Sequence, residues 1–364
     1  MACRIEGVLS RVFSIVVRLG EKVKTLNKMV VSSSLLLVAG CANDVPSFSL
    51  LSETNVFNQG TVLNNKMDIL WVIDNSGSMQ PTQTNLANNF NSFISGFVSK
   101  GFDYRIAVTT TDSWTAPFSN PNLARIRDGV SPTNSGVFVI KPSTPNILST
   151  FGININQGIA GLGDERAFQS FKTTLNSALN NDFRRSDAYL SIIVVSDEDD
   201  FSTDGSASLG KNYASPLIHT IQSYVTYLDT LTNSSGATRR YSVSGIAVWD
   251  NACKALSHPA ASIGQRYGQL VDATGGVKGS ICDNFVGVLN SIQNKIAELS
   301  TQFFLNRLPV VSSIAVFVNG LSVPMNATNG WTYEAASNSV VFHGTSIPSQ
   351  NSSVAVNFDP ASIK

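Results

Sequence analysis

The sequence predicts an α/β protein, a mostly parallel sheet with helices on both faces, followed by a small C-terminal all-β module. Three observations predict it. Two apolar runs, residues 69–73 and Tyr189–Val195, have the β-branched and aromatic content of central strands. Between residues 66 and 305, strands alternate with segments whose apolar residues recur at helical spacing, which implies right-handed β-α-β crossovers. After Leu308 the pattern changes to short alternating strands separated by Asn-Gly and His-Gly turns.

Taken in order, the strand at 69–73 is followed by a helix at 86–98, with Leu86, Phe90, Phe93, Ile94 and Phe97 on one face, and then a strand at 104–108. Between 112 and 161 the pattern lapses into Pro, Asn, Ser and Gly, with a candidate strand at 137–140. That stretch reads as an inserted loop region. It leaves from the C-terminal end of a strand, so it would overhang whatever binds there. A helix at 167–179 leads to the strongest strand, Tyr189–Val195, then a helix at 217–231, a strand at 241–248 and helical segments at 262–273 and 285–304. The module at 308–364 carries strands at 314–318, 331–333, 339–342 and 354–358 and reads as sandwich-like.

Composition narrows the function classes. The chain has 364 residues, 43% hydrophobic, ample for a core. Charged residues are 14%, under the roughly 25% of an average soluble protein, a style that fits a secreted or envelope protein. The 25 basic and 25 acidic residues cancel, so nothing points to nucleic acid.

Lys24 and Lys28 precede an apolar stretch at 29–40, too short to span a bilayer and shaped like a signal-peptide core. Its end, Leu37-Val38-Ala39-Gly40-Cys41, resembles the bacterial lipobox. That resemblance implies lipidation of Cys41, a signal region at 1–40, and a lipidated N-terminus and tether at 41–65. The alternative is a short buried helix with an incidental cysteine. Arg11, Arg18 and Glu21 interrupt an earlier apolar patch, and initiation at Val23 gives a better basic leader, so residues 1–22 read as untranslated. By the same resemblance Ala42, where retained lipoproteins carry Asp, favours the outer membrane of a bacterial envelope, with lipid as the only anchor. Cys253 and Cys282 remain in the exported chain and are expected to pair. His258 and His343 lack zinc-ligand spacing.

The candidate site begins where the first strand ends, at Asp74-Asn75-Ser76-Gly77-Ser78. The C-terminal edge of a parallel sheet is where ligands bind in such folds. Residues 74, 76 and 78 carry one carboxylate and two hydroxyls, which suit a hard divalent cation. A plain helix start, with serine satisfying free amides, is the alternative. The strand at 189–195 delivers Asp197 to the same edge, and two facing carboxylates repel unless a cation lies between them. Glu198, Asp199 and Asp200 read as a solvated turn.

At this point the chain resembles the von Willebrand factor A (vWA) domain, whose metal-ion-dependent adhesion site uses Asp-x-Ser-x-Ser after the first strand. Asp74, Ser76 and Ser78 match that motif and Asp197 its later acidic ligand. Leu270-Val-Asp-Ala-Thr-Gly-Gly276 looks like a signature found after the fifth strand of such domains. The resemblance covers residues 66–305. Where the family supplies a threonine, the loop reads Gly161-Leu-Gly-Asp-Glu-Arg166, so Asp164 or Glu165 would take its place, Glu165 lying closer to the following helix. A carboxylate there would bind metal more tightly and weaken the ion's pull on a partner's acid. The alternative is two acids favoured at a helix N-terminus. Thr110, Thr111 and Asp112 would line the rim.

The resemblance implies a binding module, not an enzyme. Its cation, Mg²⁺ first with Mn²⁺ or Ca²⁺ as alternatives, would keep one position open for an acidic residue of a protein partner, in adhesion or assembly. Two other readings stay open: a metal-dependent hydrolase, for which no base or nucleophile motif is evident near the cluster, and a structural envelope lipoprotein with a non-functional metal site.

Overall fold

The computed structural model describes residues 53–56, 65–234, 238–257 and 261–361. The signal-like segment, Cys41 and most of the 41–65 stretch lie outside these residues. The chain supplies strand β1 (Glu53–Val56), then β2 (Lys66–Ile73) and β3 (Asp103–Thr110). The insert contributes a small hairpin, β4 (Gly129–Val130) and β5 (Thr133–Asn134). Strands β6 (Tyr189–Val195), β7 (Tyr241–Ala247) and β8 (Lys278–Ser280) follow. The central sheet is parallel throughout, in the order β3-β2-β6-β7-β8.

Alternation along β2 decides which helices cover which face. Met67, Ile69, Trp71 and Ile73 pack with helices α1 (Gln80–Ser99), α2 (Ile147–Ile155) and α7 (Phe285–Ser300). Leu70 and Val72 point the other way, into the layer of α3 (Ala167–Asn176), α4 (Ile221–Thr232) and α6 (Gln265–Thr274). A short helix, α5 (Asn251–Ser257), carries Cys253, which is bonded to Cys282 across a separation of 29 residues. The Thr274-Gly275-Gly276 signature has a structural reason. Thr274 Oγ1 accepts from Val243 N at 3.0 Å, Gly275 ends α6 at φ +71°, and a Cβ at Gly276 would lie 1.9 Å from the Val243 carbonyl.

Six further strands make the β module: β9 (Phe303–Phe304), β10 (Ala315–Val318), β11 (Leu321–Val323), β12 (Trp331–Glu334), β13 (Ser339–Phe342) and β14 (Val354–Phe358). They form two small antiparallel sheets, β1-β14-β10-β11 and β12-β13-β9. Asn319 and Gly320, both at positive φ, close the β10–β11 hairpin.

Several expectations need correction. The tether reading of 41–65 fails at Glu53–Val56, which pair antiparallel with Phe358 to Ala355 and make an edge strand of the β module. The module is no separate body: Val316, Trp331, Val340 and Phe342 share one apolar core with Phe97, Leu289 and Ile296. The insert is not irregular either, since Phe151 and Ile155 of α2 are fully buried in that core. Residues 137–140 contribute only a bridge from Ile140 to Ile106. The first helix begins at Gln80 because Pro81 is tolerated in a first turn. The helix expected at 217–231 starts at Ile221, because the Thr220 side chain accepts from Ser223 N and caps it.

Candidate functional site

Strands β2, β3 and β6 run in parallel, so their C-terminal ends deliver Asp74, Thr111–Asp112 and Ser196–Asp197 to one edge. The backbone ties there are Asp74 N to Val195 O at 2.9 Å and Thr111 N to Ile73 O at 3.0 Å. Asp74 is fully buried. Its Oδ1 accepts from Ser76 N at 2.8 Å and its Oδ2 from the Ser196 hydroxyl at 2.6 Å. Burial pushes this carboxyl up to about 7 against those hydrogen bonds, and the charge of Asp197 adds to the rise.

Ser78 joins the two strand ends: its hydroxyl donates to Asp197 Oδ1 at 3.0 Å and lies 3.4 Å from the Ser76 hydroxyl. The structure thus brings Asp74, Ser76, Ser78 and Asp197 into one cluster. Glu165 comes from the loop before α3, near enough to Asp74 for the two charges to interact. It is 2% exposed and neither carboxylate oxygen has a hydrogen-bond partner. Burial, then the negative charge of Asp74, raises its carboxyl well above the usual range, and the nearby Thr111 hydroxyl, which falls short of hydrogen-bond geometry, offsets little of this. An unpaired buried carboxyl facing other acids is a costly arrangement that a cation would relieve.

Asp164 is committed elsewhere. Its Oδ2 accepts from Arg166 Nη2 at 2.7 Å and Nε at 3.1 Å, and the Arg166 guanidinium stacks 3.7 Å from the Trp114 ring. The neighbouring acid therefore leaves Glu165 as the loop's candidate ligand. The threonines at 110 and 111 are buried with unpartnered hydroxyls, while Asp112 acts as a clamp. Its carboxylate accepts from Asn75 Nδ2 at 3.1 Å and from Leu162 N at 3.2 Å. Gly161 makes the clamp possible, because its N–H donates to Asn75 O at 2.8 Å and a Cβ there would lie 2.7 Å from that oxygen.

Sequence reasoning missed three supports. Ser196 holds Asp74, and its only signal was its place between the strand and Asp197. Gln83 donates to the Asp74 and Gly158 carbonyls at 3.1 and 2.9 Å and accepts from Gln157 N at 2.9 Å, bracing the motif against the insert. The supposed solvated turn is the third. Asp199 accepts from Arg266 N and Tyr267 N at the start of α6, and Asp200 from Phe168 N at the start of α3. Two buried acids thus cap two helices from outside.

Among the described residues no group of three or more His, Cys, Asp and Glu side chains forms a ready metal site. The donor set at this edge is mixed: carboxylates of Asp74, Asp197 and Glu165 with hydroxyls of Ser76 and Ser78. Such all-oxygen donors fit a hard divalent cation, and the unpartnered Glu165 oxygens are the observation that favours one.

No family model matches the sequence, and no curated protein matches it. Among solved structures, the chain is similar to the pilus adhesin SpaC from Lactobacillus rhamnosus GG in its open conformation, at 11% identity and a TM-score of 0.42, covering 81% of this chain and 38% of that one. Another SpaC crystal structure gives 11% identity and a TM-score of 0.37, covering 81% and 39%. Proximal thread matrix protein 1 from the mussel byssus gives 12% and 0.38, covering 68% and 51%. The chain spans well under half the length of the SpaC chains.

Proposed function

We propose that this chain is an envelope-anchored vWA-type binding protein that takes a protein partner through a divalent cation at the C-terminal edge of its parallel sheet. One observation carries the reading: a buried Glu165 carboxylate without partners, in the field of Asp74 and beside the Asp74, Ser76, Ser78 and Asp197 cluster. Asp74, Asp197 and Glu165 would hold the ion with the two serine hydroxyls, and Mg²⁺ suits that set, with Mn²⁺ or Ca²⁺ as alternatives. When bound, the ion supplies an electrophilic contact for an acidic side chain of the partner. Envelope anchoring rests on the order of basic residues, apolar stretch and Cys41 in the sequence.

We read the site as a binding site and not a hydrolytic one. Both described histidines are held elsewhere, His219 by Asp204 and Tyr224 and His343 by Glu298 and Thr332. Three ionised carboxylates around one divalent ion leave no net positive charge for the partner's acid. The metal contact then supplies orientation more than affinity, and the surface beside it must supply the rest.

Calorimetric titration of the full chain with Mg²⁺, Mn²⁺ and Ca²⁺, beside Asp74→Ala, tests the reading. One bound ion in the native chain and none in the variant is the expected result. Equal titration in both, or none in either, would remove the metal from the proposal.

A further inference from the structure

A second feature opens beside the cluster. The insert and the end of β3 border an open pocket of about 670 Å³, lined on its apolar side by Trp114, Phe118, Leu123, Val130 and Leu162. Asn75 and Asp112, the two side chains that clamp the metal-site loop, form its shared wall. The volume falls in the range of small-ligand sites, and most of the surface it exposes is apolar, with polar side chains interleaved.

Its shape is set in advance. Trp114 is 4% exposed, its backbone N–H donates to Ser170 Oγ at 3.0 Å, and Arg166 stacks on its ring. Phe118 packs edge-on against Trp114 at 6.2 Å and is still 51% exposed, as Leu162 is at 48% and Val130 at 44%. Large apolar side chains left half-exposed around one cavity mark a binding surface more than a solvated loop. Polar side chains share the lining, and two of them have unmet polar atoms: Arg127, whose Nε is buried without a hydrogen-bond partner, and Thr110, whose hydroxyl is likewise unpartnered.

We propose that this pocket takes a large apolar side chain, aromatic or branched aliphatic, from the same extended segment whose acidic residue reaches the cation. The partner's recognition element is then an acid and an apolar residue a few positions apart. This rests on the metal-dependent binding reading and deepens it. The pocket continues the cation site through Asn75 and Asp112, so one extended strand of partner, at about 3.3 Å per residue, reaches both. Apolar burial here also supplies the affinity that Glu165 takes from the metal contact.

The test is selection of a random peptide library displayed on phage against the full chain in Mg²⁺, repeated on Phe118→Asp, Val130→Lys and Asp74→Ala. An enriched peptide is then measured by fluorescence anisotropy with and without EDTA. The expected result is an acid paired with an aromatic or branched residue. Both pocket variants should lose the apolar preference, keep the acid and weaken the peptide about tenfold or more, while Asp74→Ala loses the acid. Thermal melts check that each variant is folded, and Phe118 and Val130 sit at the surface, so their loss of binding reports the pocket. Enrichment of an acid alone, or an apolar preference that survives both pocket variants, overturns the inference and leaves the metal reading standing. Apolar enrichment that vanishes in the pocket variants, with no acid and no effect of EDTA, supports the pocket and removes the metal. No enrichment overturns both.

Discussion

At the scale of single residues, the site is organised around one costly carboxylate. Glu165 is buried, unpartnered and surrounded by negative charge, so in the cation-free protein it works against folding. We expect Glu165→Gln to be at least as stable as the native chain in chelator at pH 7.5, yet to lose most of the stabilisation that Mg²⁺ gives. At one hundred times its dissociation constant a native-state ligand adds about 2.7 kcal/mol. Melting curves with and without Mg²⁺ read both effects, and an undiminished Mg²⁺ shift in the variant would show that Glu165 is no ligand. Gly161 offers an independent check on the clamp. A methyl group there collides with the Asn75 backbone, so Gly161→Ala should displace the loop and weaken cation binding about tenfold while leaving the distant core intact. Near-native calorimetric affinity in that variant would argue that the loop does not hold the ion.

At the scale of elements, what was legible followed from burial. Strands β6, β13 and β14 stand where their apolar runs placed them, and Asp74, Ser76, Ser78 and Asp197 converge because parallel neighbours must end at one edge. Helix α2 was not legible, since its Ile-Leu-Ser-Thr-Phe-Gly-Ile sequence mixes β-branched residues and glycine. Strand β1 was hidden because its partner, β14, lies three hundred residues away and a four-residue edge has no pattern of its own. The acids at 199 and 200 misled for a similar reason: charge runs favour solvent unless distant helix ends claim them. Their burial has a pH consequence. Burial holds Asp199 up at about 6, above the 3.8 of an unperturbed carboxyl, so folding takes up a proton between those values. The contribution is fully present below about pH 4 and is lost as pH rises through about 6. It amounts to at most about 3 kcal/mol at roughly 1.4 kcal/mol per pKa unit. Asp68 and Asp200 are raised for the same cause and add in the same direction. Urea unfolding in chelator should therefore show a higher midpoint at pH 5 than at pH 7.5, and the opposite order would mean these acids are ionised at little cost.

At the scale of the whole molecule, the β module and the candidate site occupy opposite ends of the sheet. Asn65, just before β2, hydrogen-bonds to Gln350 and Pro348, Lys100 after α1 bonds to Ile347, and Glu298 near the end of α7 pairs with His343. All of these mark the N-terminal edge of the strands. The eight residues of β2 carry the chain about 25 Å from there to Asp74. Strand β1 belongs to the module, so in sequence the α/β unit is inserted into it. The boundary expected near 305–308 is then no place to cut: Phe303, Leu305, Val316, Trp331 and Phe342 complete the core that Phe97, Leu289 and Ile296 begin. Burying such side chains contributes roughly 1.5–3 kcal/mol each, enough in sum to couple the two parts into one cooperative unit. We expect a single unfolding transition in calorimetry for the full chain. A chain ending at 305 should expose its α1 and α7 face, bind a hydrophobic dye and lose several kcal/mol of stability. Two resolved transitions, or a truncated chain as stable as the whole, would mean that the module is only appended and that the site stands on the α/β unit alone.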